Sequence, residues 1–452
     1  MRLPFVTRSP ATAPGFMALA WPSLVENVLL TTMGIISMMM VGRLGAAAVA
    51  GVGAANQVMN LLIVVFNGLA VGTTALVARC VGAGNRPGAR AVTRQSLALG
   101  VALGVGIGAI GMLVAYPVLQ LMGAEPEVAR DGAVYLRGVM ASTPLMVVML
   151  IGNGSLRGSG DTRTPMGITA VANVANVGVA YPLIFGVAGL PSLGIAGAAW
   201  GIVAARVVGC ILVLQALMEG QGPIRLGLLK RWRPDLEVLR SILAIGGPAA
   251  AESGSIQLGM MIFSLIVISL GTAAFAAQQI VFNAANLSMM PGMAFSVAST
   301  TLVGQALGAG EPARAESSGW RGAFSAAGWM SIMGAVFALF PEQIVGLYTP
   351  DPEVIRLGAV GLRIVGLGQP LQGIAFVLSG ALRGAGDTRT TMVVGTACVW
   401  LIRLPLAFGL GLLAGLGVMG VWLAWAGDWS IRGALYARFF RRGKWKTLKV
   451  WT

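Results

Sequence analysis

The chain has 452 residues, of which 56% are hydrophobic and only 10% charged, with a mean hydropathy of +0.81 and 65 glycines. A soluble chain carries about 25% charged residues, so this composition excludes a soluble globular enzyme. The formal charge of +15, from 31 basic and 16 acidic residues, would point to nucleic acid in a polar protein, and the apolar excess excludes that reading here.

The absence of histidine removes His-based zinc sites, Ser-His-Asp and Cys-His nucleophiles and histidine proton relays. Proton chemistry therefore falls mainly on carboxylates. Cys80, Cys210 and Cys398 are far apart in apolar surroundings and form no CxxC pair, so neither a disulfide framework nor a cluster site is implied.

A helix needs about 20 apolar residues to cross a bilayer. Twelve stretches qualify, at 16–41, 49–77, 95–119, 134–156, 165–188, 194–218, 240–269, 274–303, 320–341, 357–382, 391–414 and 416–437. The first is full length with no small-residue cleavage site after it, so no removable signal peptide is expected. With the N-terminus in the cytoplasm, 24 of the 31 basic residues fall on the cytoplasmic side. Five fall outside and two, Arg206 and Arg403, within spans. Glu125, Glu127, Asp131, Glu342, Asp351 and Glu353 occupy the outer loops. The positive-inside rule thus places both termini in the cytoplasm of an inner-membrane protein, and the basic charge is topological.

An internal repeat organises the spans. LRGSGDTRT at 156–164 and LRGAGDTRT at 382–390 agree at eight of nine positions, at an offset of 226. The same offset pairs Pro22 with Pro248, Glu26 with Glu252, Gln57 with Asn283, and Asn60 with Asn286. Six spans per half is an even number, so both halves enter the membrane from the same side as parallel repeats. The expected architecture is all-α and polytopic, with twelve transmembrane helices in two six-helix lobes at 1–218 and 241–452. A basic cytoplasmic linker at 219–240, containing RLGLLKRWRPD, joins them. Two such bundles around a central cavity suit alternating access. The GDTRT segments read as turns in which glycine supplies unusual dihedrals and Asp161 or Asp387 caps the next helix. No GxxxxGK[ST] sequence occurs, so active transport is expected to run on an ion gradient.

Glu26 and Glu252 are the acids placed well inside spans, where an ionisable residue costs roughly 2.5 to 3.5 kcal/mol and marks a functional site. Either could exchange a proton as its cavity opens to alternate sides, or hold Na⁺ together with amide oxygens. Equally, either could satisfy donors freed by Pro22 and Pro248, which bend their helices, or bond to Asn27, Ser23 or Ser253. Asp428 and Arg432 form an i, i+4 pair near a helix end and read as structural. Amides recur within spans: Asn56, Gln57 and Asn60, Asn153, Asn173 and Asn176, and Gln278, Gln279, Asn283 and Asn286. They read as cavity lining or as interhelical hydrogen bonds of about 0.6 kcal/mol each. Methionines at 38–40, 260–261, 289–290 and 293 read as lipid-facing filler or an adaptable apolar surface.

In order along the chain, LAWPSLVENVLLTTMGIISMMMVGRLG, GTTALVARCVGAGN, LRGSGDTRTP, NVGVAYPLIFG, LRGAGDTRT, RLPLAF and FRRGKWK make the sequence resemble the multidrug and toxic compound extrusion (MATE) transporters. The resemblance implies two six-helix lobes and efflux of amphipathic, often cationic small molecules driven by inward H⁺ or Na⁺, with no cofactor besides that ion. It also marks departures. The family's first-span aspartate, five residues before the glycine that is Gly42 here, is Ser37. Its fifth-span aspartate is Ala180, with the accompanying Asn176 kept, and its tenth-span acid is Gln372.

Glu26 lies eleven residues before Ser37, which at 100° per residue puts both on one helix face about 16 Å apart. The coupling carboxylate is therefore expected to have moved toward the cytoplasmic side. The expected function is that of a monomeric, ion-coupled antiporter embedded in the lipid bilayer. The missing aspartates leave neutral or zwitterionic substrates open. The alternative is a flippase for a lipid-linked saccharide, for which Arg206 and Arg403 would be the cavity arginines; a non-transporting scaffold would need no paired acids.

Overall fold

The computed structural model describes residues 15–189, 191–219, 224–226, 234–448 and 450. Arg2 and Arg8, and Lys230, Arg231 and Arg233 of the expected linker, lie outside the described residues. The described chain is almost wholly helical. In chain order the helices are α1 (Phe16–Gly42), α2 (Ala46–Gly82), α3 (Arg86–Leu121), α4 (Pro126–Ala141), α5 (Thr143–Gly158), α6 (Arg163–Phe185) and α7 (Ile195–Glu219). The second half holds α8 (Leu236–Ile268), α9 (Thr272–Gly308), α10 (Pro312–Leu339), the short α11 (Pro341–Gly346) and α12 (Pro352–Gly384). It ends with α13 (Thr388–Ala397), α14 (Leu404–Phe408) and α15 (Gly417–Arg442). Two π-helical segments, Cys398–Arg403 and Gly409–Leu413, flank α14.

Ten spans among the described residues are long and apolar enough to cross a membrane. The fourth expected span is a pair, α4 and α5, bent by 51°. Pro144 enters the first turn of α5, where it supplies no backbone N–H to continue the helix from α4. The remaining expected span is α15, whose 26 residues reach about 39 Å. It is less apolar because it carries Asp428, Arg432, Arg438, Arg441 and Arg442. Pro22 and Pro248 lie inside α1 and α8, each of which runs on as one helix past its proline.

The chain forms two compact units. One comprises Trp21–Gly246, and the other Gly15–Ala20 with Gly247–Val450, so the division falls inside α8. In the first, Met40, Val52, Ala133, Tyr135, Ile184 and Ala198 belong to one apolar core. In the second, the first turn of α1 contributes Leu19 and Ala20 to a core with Phe295, Leu382 and Phe440.

The repeat is visible as a helix crossing made twice. Thr74 of α2 donates its hydroxyl to the carbonyls of Ala70 (2.8 Å) and of Gly154 in α5 (3.0 Å). Thr300 of α9 donates to Ser296 (2.9 Å) and to Gly380 in α12 (2.8 Å). Each member differs from its counterpart by 226. Both crossings end in a GxxxG pair, Gly154/Gly158 and Gly380/Gly384, whose missing side chains let the backbones touch. A methyl on Gly384 would run into the Thr300 carbonyl, whereas one on Gly328 of α10 meets nothing within 4 Å. Gly384→Ala is therefore expected to lower stability by about 1–3 kcal/mol. Gly328→Ala should be neutral or stabilising by up to about 1 kcal/mol. Thermal unfolding in detergent checks both.

The GDTRT segments are tight turns, with Gly160 at φ 93° and Gly386 at φ 86°. Asp161 accepts from the Thr164 amide (3.0 Å) and hydroxyl (2.6 Å), and Asp387 accepts from Thr390 in the same way (3.2 and 2.8 Å). Burial pushes the Asp161 carboxyl above the usual carboxylate range, opposed by those Thr164 hydrogen bonds. A group whose folded form holds its proton more tightly than the unfolded chain loses stabilisation as pH rises through that range. Asp161→Asn should then flatten the fall in melting temperature as pH rises above the ordinary carboxylate range.

Candidate transport site

The GxxxG crossings decide where charge enters the two units. Arg157 stands one residue before Gly158 and Arg383 one before Gly384, so each guanidinium leaves its helix at the crossing. Arg157 reaches Glu26 of α1 at 3.4 Å, and Arg383 reaches Glu252 of α8 at 2.8 Å. Glu26 is 3% and Glu252 2% exposed. The two pairs occupy equivalent positions, 226 apart at both ends.

Their surroundings differ. Thr391 of α13 donates its hydroxyl to Glu252 at 2.9 Å, and Gly395 leaves room for the carboxylate, since a Cβ there would sit 3.0 Å from Oε1. At the corresponding places, 226 earlier, the first unit has Pro165 and Thr169. Pro165 has no hydroxyl to offer where Thr391 donates to Glu252, and Glu26 sits further from its arginine.

Sequence reasoning put Arg157 and Arg383 in cytoplasmic loops and offered Asn27, Ser23 and Ser253 as partners. Ser253 instead bonds its own helix at Ala249 (3.0 Å). The signal that would have found the pairs was present: opposite charges each duplicated at the same offset.

A cavity of about 250 Å³ opens in the first unit, lined by Ser37, Asn56, Tyr135 and Asn176 among Met33, Met38, Met40, Val41, Val52 and Ala180. Ser37 and Ala180 are the places where the family pattern has aspartates. No acid lines it, and the Tyr135 hydroxyl donates to Asn56 at 3.3 Å. Arg206 turns to α4, donating to the Val139 carbonyl (2.7 Å) and the Ser142 hydroxyl (2.8 Å).

The second unit fills the equivalent space. Phe263 stands 226 after Ser37 and Phe282 226 after Asn56, while Gly361, 226 after Tyr135, makes room for Trp422. Phe263, Phe282, Trp422 and Trp425 pack with ring centroids 4.9–6.4 Å apart. Into this wall comes Arg403, 4.1 Å over the Trp425 ring and ion-paired to Asp428. Arg432 binds both Asp428 oxygens, at 2.9 and 3.0 Å, and lies 4.5 Å over Trp429. Asp428 is 0% and Arg403 1% exposed.

The offset of 226 does not carry through to the region of Arg403. Gly197 crosses α6 at the Leu183 carbonyl, and Gly420 makes the same crossing at Leu410. Leu410 is 227 after Leu183 but Gly420 is 223 after Gly197, so the offset of 226 is not kept at this crossing, which follows the wide π turn Cys398–Arg403.

The other expected residues are dispersed. Asn173 donates to the Leu29 carbonyl at 2.8 Å, and Asn283 to its own helix at Gln279 (2.8 Å). Gln57, Asn60 and Asn286 are exposed. Asn153, Gln278 and Gln372 are buried, each with a side-chain amide atom that finds no partner among the described residues. No group of three or more acidic or cysteine side chains able to hold a metal occurs among the described residues. The two units are thus unlike, the first holding a neutral cavity and the second a walled charge cluster.

Two repeated helical units of long apolar spans, each with a buried Glu–Arg pair, define a polytopic helical membrane protein. The profile of the MatE family matches residues 22–182 and 248–408, one match per half. The chain belongs to the MatE family of transporters. It is 32% identical to the probable multidrug resistance protein NorM of Thermotoga maritima, over 98% of this chain and 95% of that one. It is 29% identical to the multidrug resistance protein PmpM of Pseudomonas aeruginosa, over 88% and 83%. A crystal structure of a MATE protein in a bent conformation superposes with TM-score 0.89 at 23% identity, covering 94% of both chains. A MOP-superfamily transporter from Pyrococcus furiosus, described as having a binding pocket of reversed polarity, superposes with TM-score 0.88 at 22% identity, covering 96% of both.

Proposed function

We propose that this chain exports amphipathic small molecules by proton-coupled alternating access, with Glu26 as the coupling carboxylate. It acts as a monomer in the inner membrane with both termini cytoplasmic. The observation that carries the reading is the difference between the two Glu–Arg pairs among the described residues: Arg157 stands 3.4 Å from Glu26, whereas Glu252 is held at 2.8 Å by Arg383 and at 2.9 Å by Thr391. A carboxylate parted from its guanidinium at membrane depth is most stable as the neutral acid. Separation of Glu26 from Arg157 on one side of the cycle then loads a proton, and re-pairing releases it. A guanidinium already supplies the positive charge that Na⁺ would bring, which favours the proton.

The names of the relatives support drug-like cargo, and the cavity around Ser37 and Asn176 supports one with a neutral or zwitterionic face. Nothing favours saccharide flipping: Arg206 is bound to α4 and Arg403 to Asp428.

The test is uptake of a fluorescent amphipathic dye into everted vesicles under an imposed pH or Na⁺ gradient. Wild type should concentrate dye under the pH gradient, and Glu26→Gln should lose at least about 90% of that uptake, in line with a group acting in the energised step. Uptake driven by Na⁺ alone, or unchanged in Glu26→Gln/Glu252→Gln, would overturn the reading.

A further inference from the structure

The last turns of α15 carry a feature that transport does not use. Arg438, Arg441 and Arg442, spaced three and four residues apart on one face, line an open cavity of about 470 Å³ together with Trp320 of α10 and Ala437. None of the three has a carboxylate partner among the described residues. The nearby lysine is different, since Lys446 is paired with Glu316 at 2.6 Å.

The floor of the cavity is built rather than incidental. Trp320 stacks on Phe324 and meets Phe440 edge-on, both at 5.7 Å. Phe440 stacks on Trp445 at 4.5 Å, and the buried Trp445 indole donates to the Phe440 carbonyl at 2.7 Å. Gly443, at φ 73°, turns the chain back so that Trp445 can reach this place. A topological bias toward basic loops requires charge but not a folded aromatic plinth beneath it.

Away from the arginines, the exposed face of α10 continues as Phe324, Ile332, Val336 and Leu339, an apolar stripe facing hydrocarbon. We propose that the cavity binds the phosphate of an anionic phospholipid in the leaflet on the basic side of the protein. The three guanidiniums match phosphate oxygens, Trp320 sits at headgroup depth, and the acyl chains lie along the α10 stripe.

Native mass spectrometry of the detergent-purified full chain, titrated with phosphatidylglycerol or phosphatidylcholine of identical acyl chains, tests it. Wild type should retain phosphatidylglycerol roughly tenfold better, given the attraction of each clustered basic residue. Arg438→Gln/Arg441→Gln/Arg442→Gln should retain both lipids equally. Arg130→Gln/Arg137→Gln, in α4 among the basic residues expected outside, should behave as wild type. An unchanged melting temperature in lipid-free detergent separates loss of the site from loss of the fold. Equal retention of the two lipids by wild type, or an unchanged preference in the triple variant, overturns the proposal. So does complete displacement of the lipid by millimolar inorganic phosphate, which would make free phosphate the ligand.

Discussion

Asp428→Ala is expected to destabilise the second unit by about 3–5 kcal/mol, the largest single-site effect in the chain. Asp428 is the shared partner of Arg403 and Arg432, and removing it leaves two guanidiniums buried among tryptophans with no counter-charge. Truncating the exposed Glu342 of the Arg363–Glu342 pair should cost under about 1 kcal/mol. Replacing all three members, as Arg403→Met/Asp428→Leu/Arg432→Met, should restore much of the loss, because no unpaired charge remains. The free, buried Cys80 and Cys210 lie in the other unit and Cys398 in this one, so a thiol-reactive fluorophore reports unfolding on heating. If Asp428→Ala melted within a degree of wild type, the cluster would not be the electrostatic keystone of this unit.

Glu26→Gln and Glu252→Gln should part company, although the repeat makes them equivalent. Glu252→Gln weakens charge-assisted bonds from Arg383 and Thr391, each worth about 1.5–3 kcal/mol, and should act mainly on stability. Glu26→Gln weakens a longer contact, to an arginine that is only partly buried, and should cost less stability than Glu252→Gln while abolishing proton-driven uptake. Thr391→Val would remove the donor from Glu252 and should move it toward the behaviour of Glu26. Equal loss of uptake and of stability in both glutamine variants would show that the pairs act alike.

The sequence made the helical architecture readable because spans and charge bias are properties of composition, and the repeat because an eight-in-nine match needs no geometry. The site was readable where one residue type stands alone, as Glu26 and Glu252 do among apolar neighbours. Their partners were not, since Arg157 and Arg383 sit at helix ends and only a GxxxG crossing turns them inward. Asp428 read as a local i, i+4 pair because Arg403, 25 residues earlier, arrives through a π turn that no periodicity reveals. The amides Gln57, Asn60, Asn283 and Asn286 showed the opposite limit: a perfect offset fixed their equivalence but said nothing of what they face.

The second unit carries a chain of polar contacts. Glu252 accepts from Thr391, the Thr391 carbonyl accepts from Tyr436 at 3.1 Å, and one turn back on α15 Arg432 holds Asp428. The π segments on either side of α14 bear on how this unit can diverge. A wide turn stores one residue beyond the α-helical count, so a single-residue deletion within Cys398–Arg403 can be taken up by returning that turn to α geometry. Every residue after the deletion keeps its face, while one before it rotates by about 100°. This span is therefore where the gene can lose a codon without breaking the fold, and Arg403, at its last position, would still meet Asp428. A one-residue gap elsewhere in α12 would turn the whole GxxxG face away from α9.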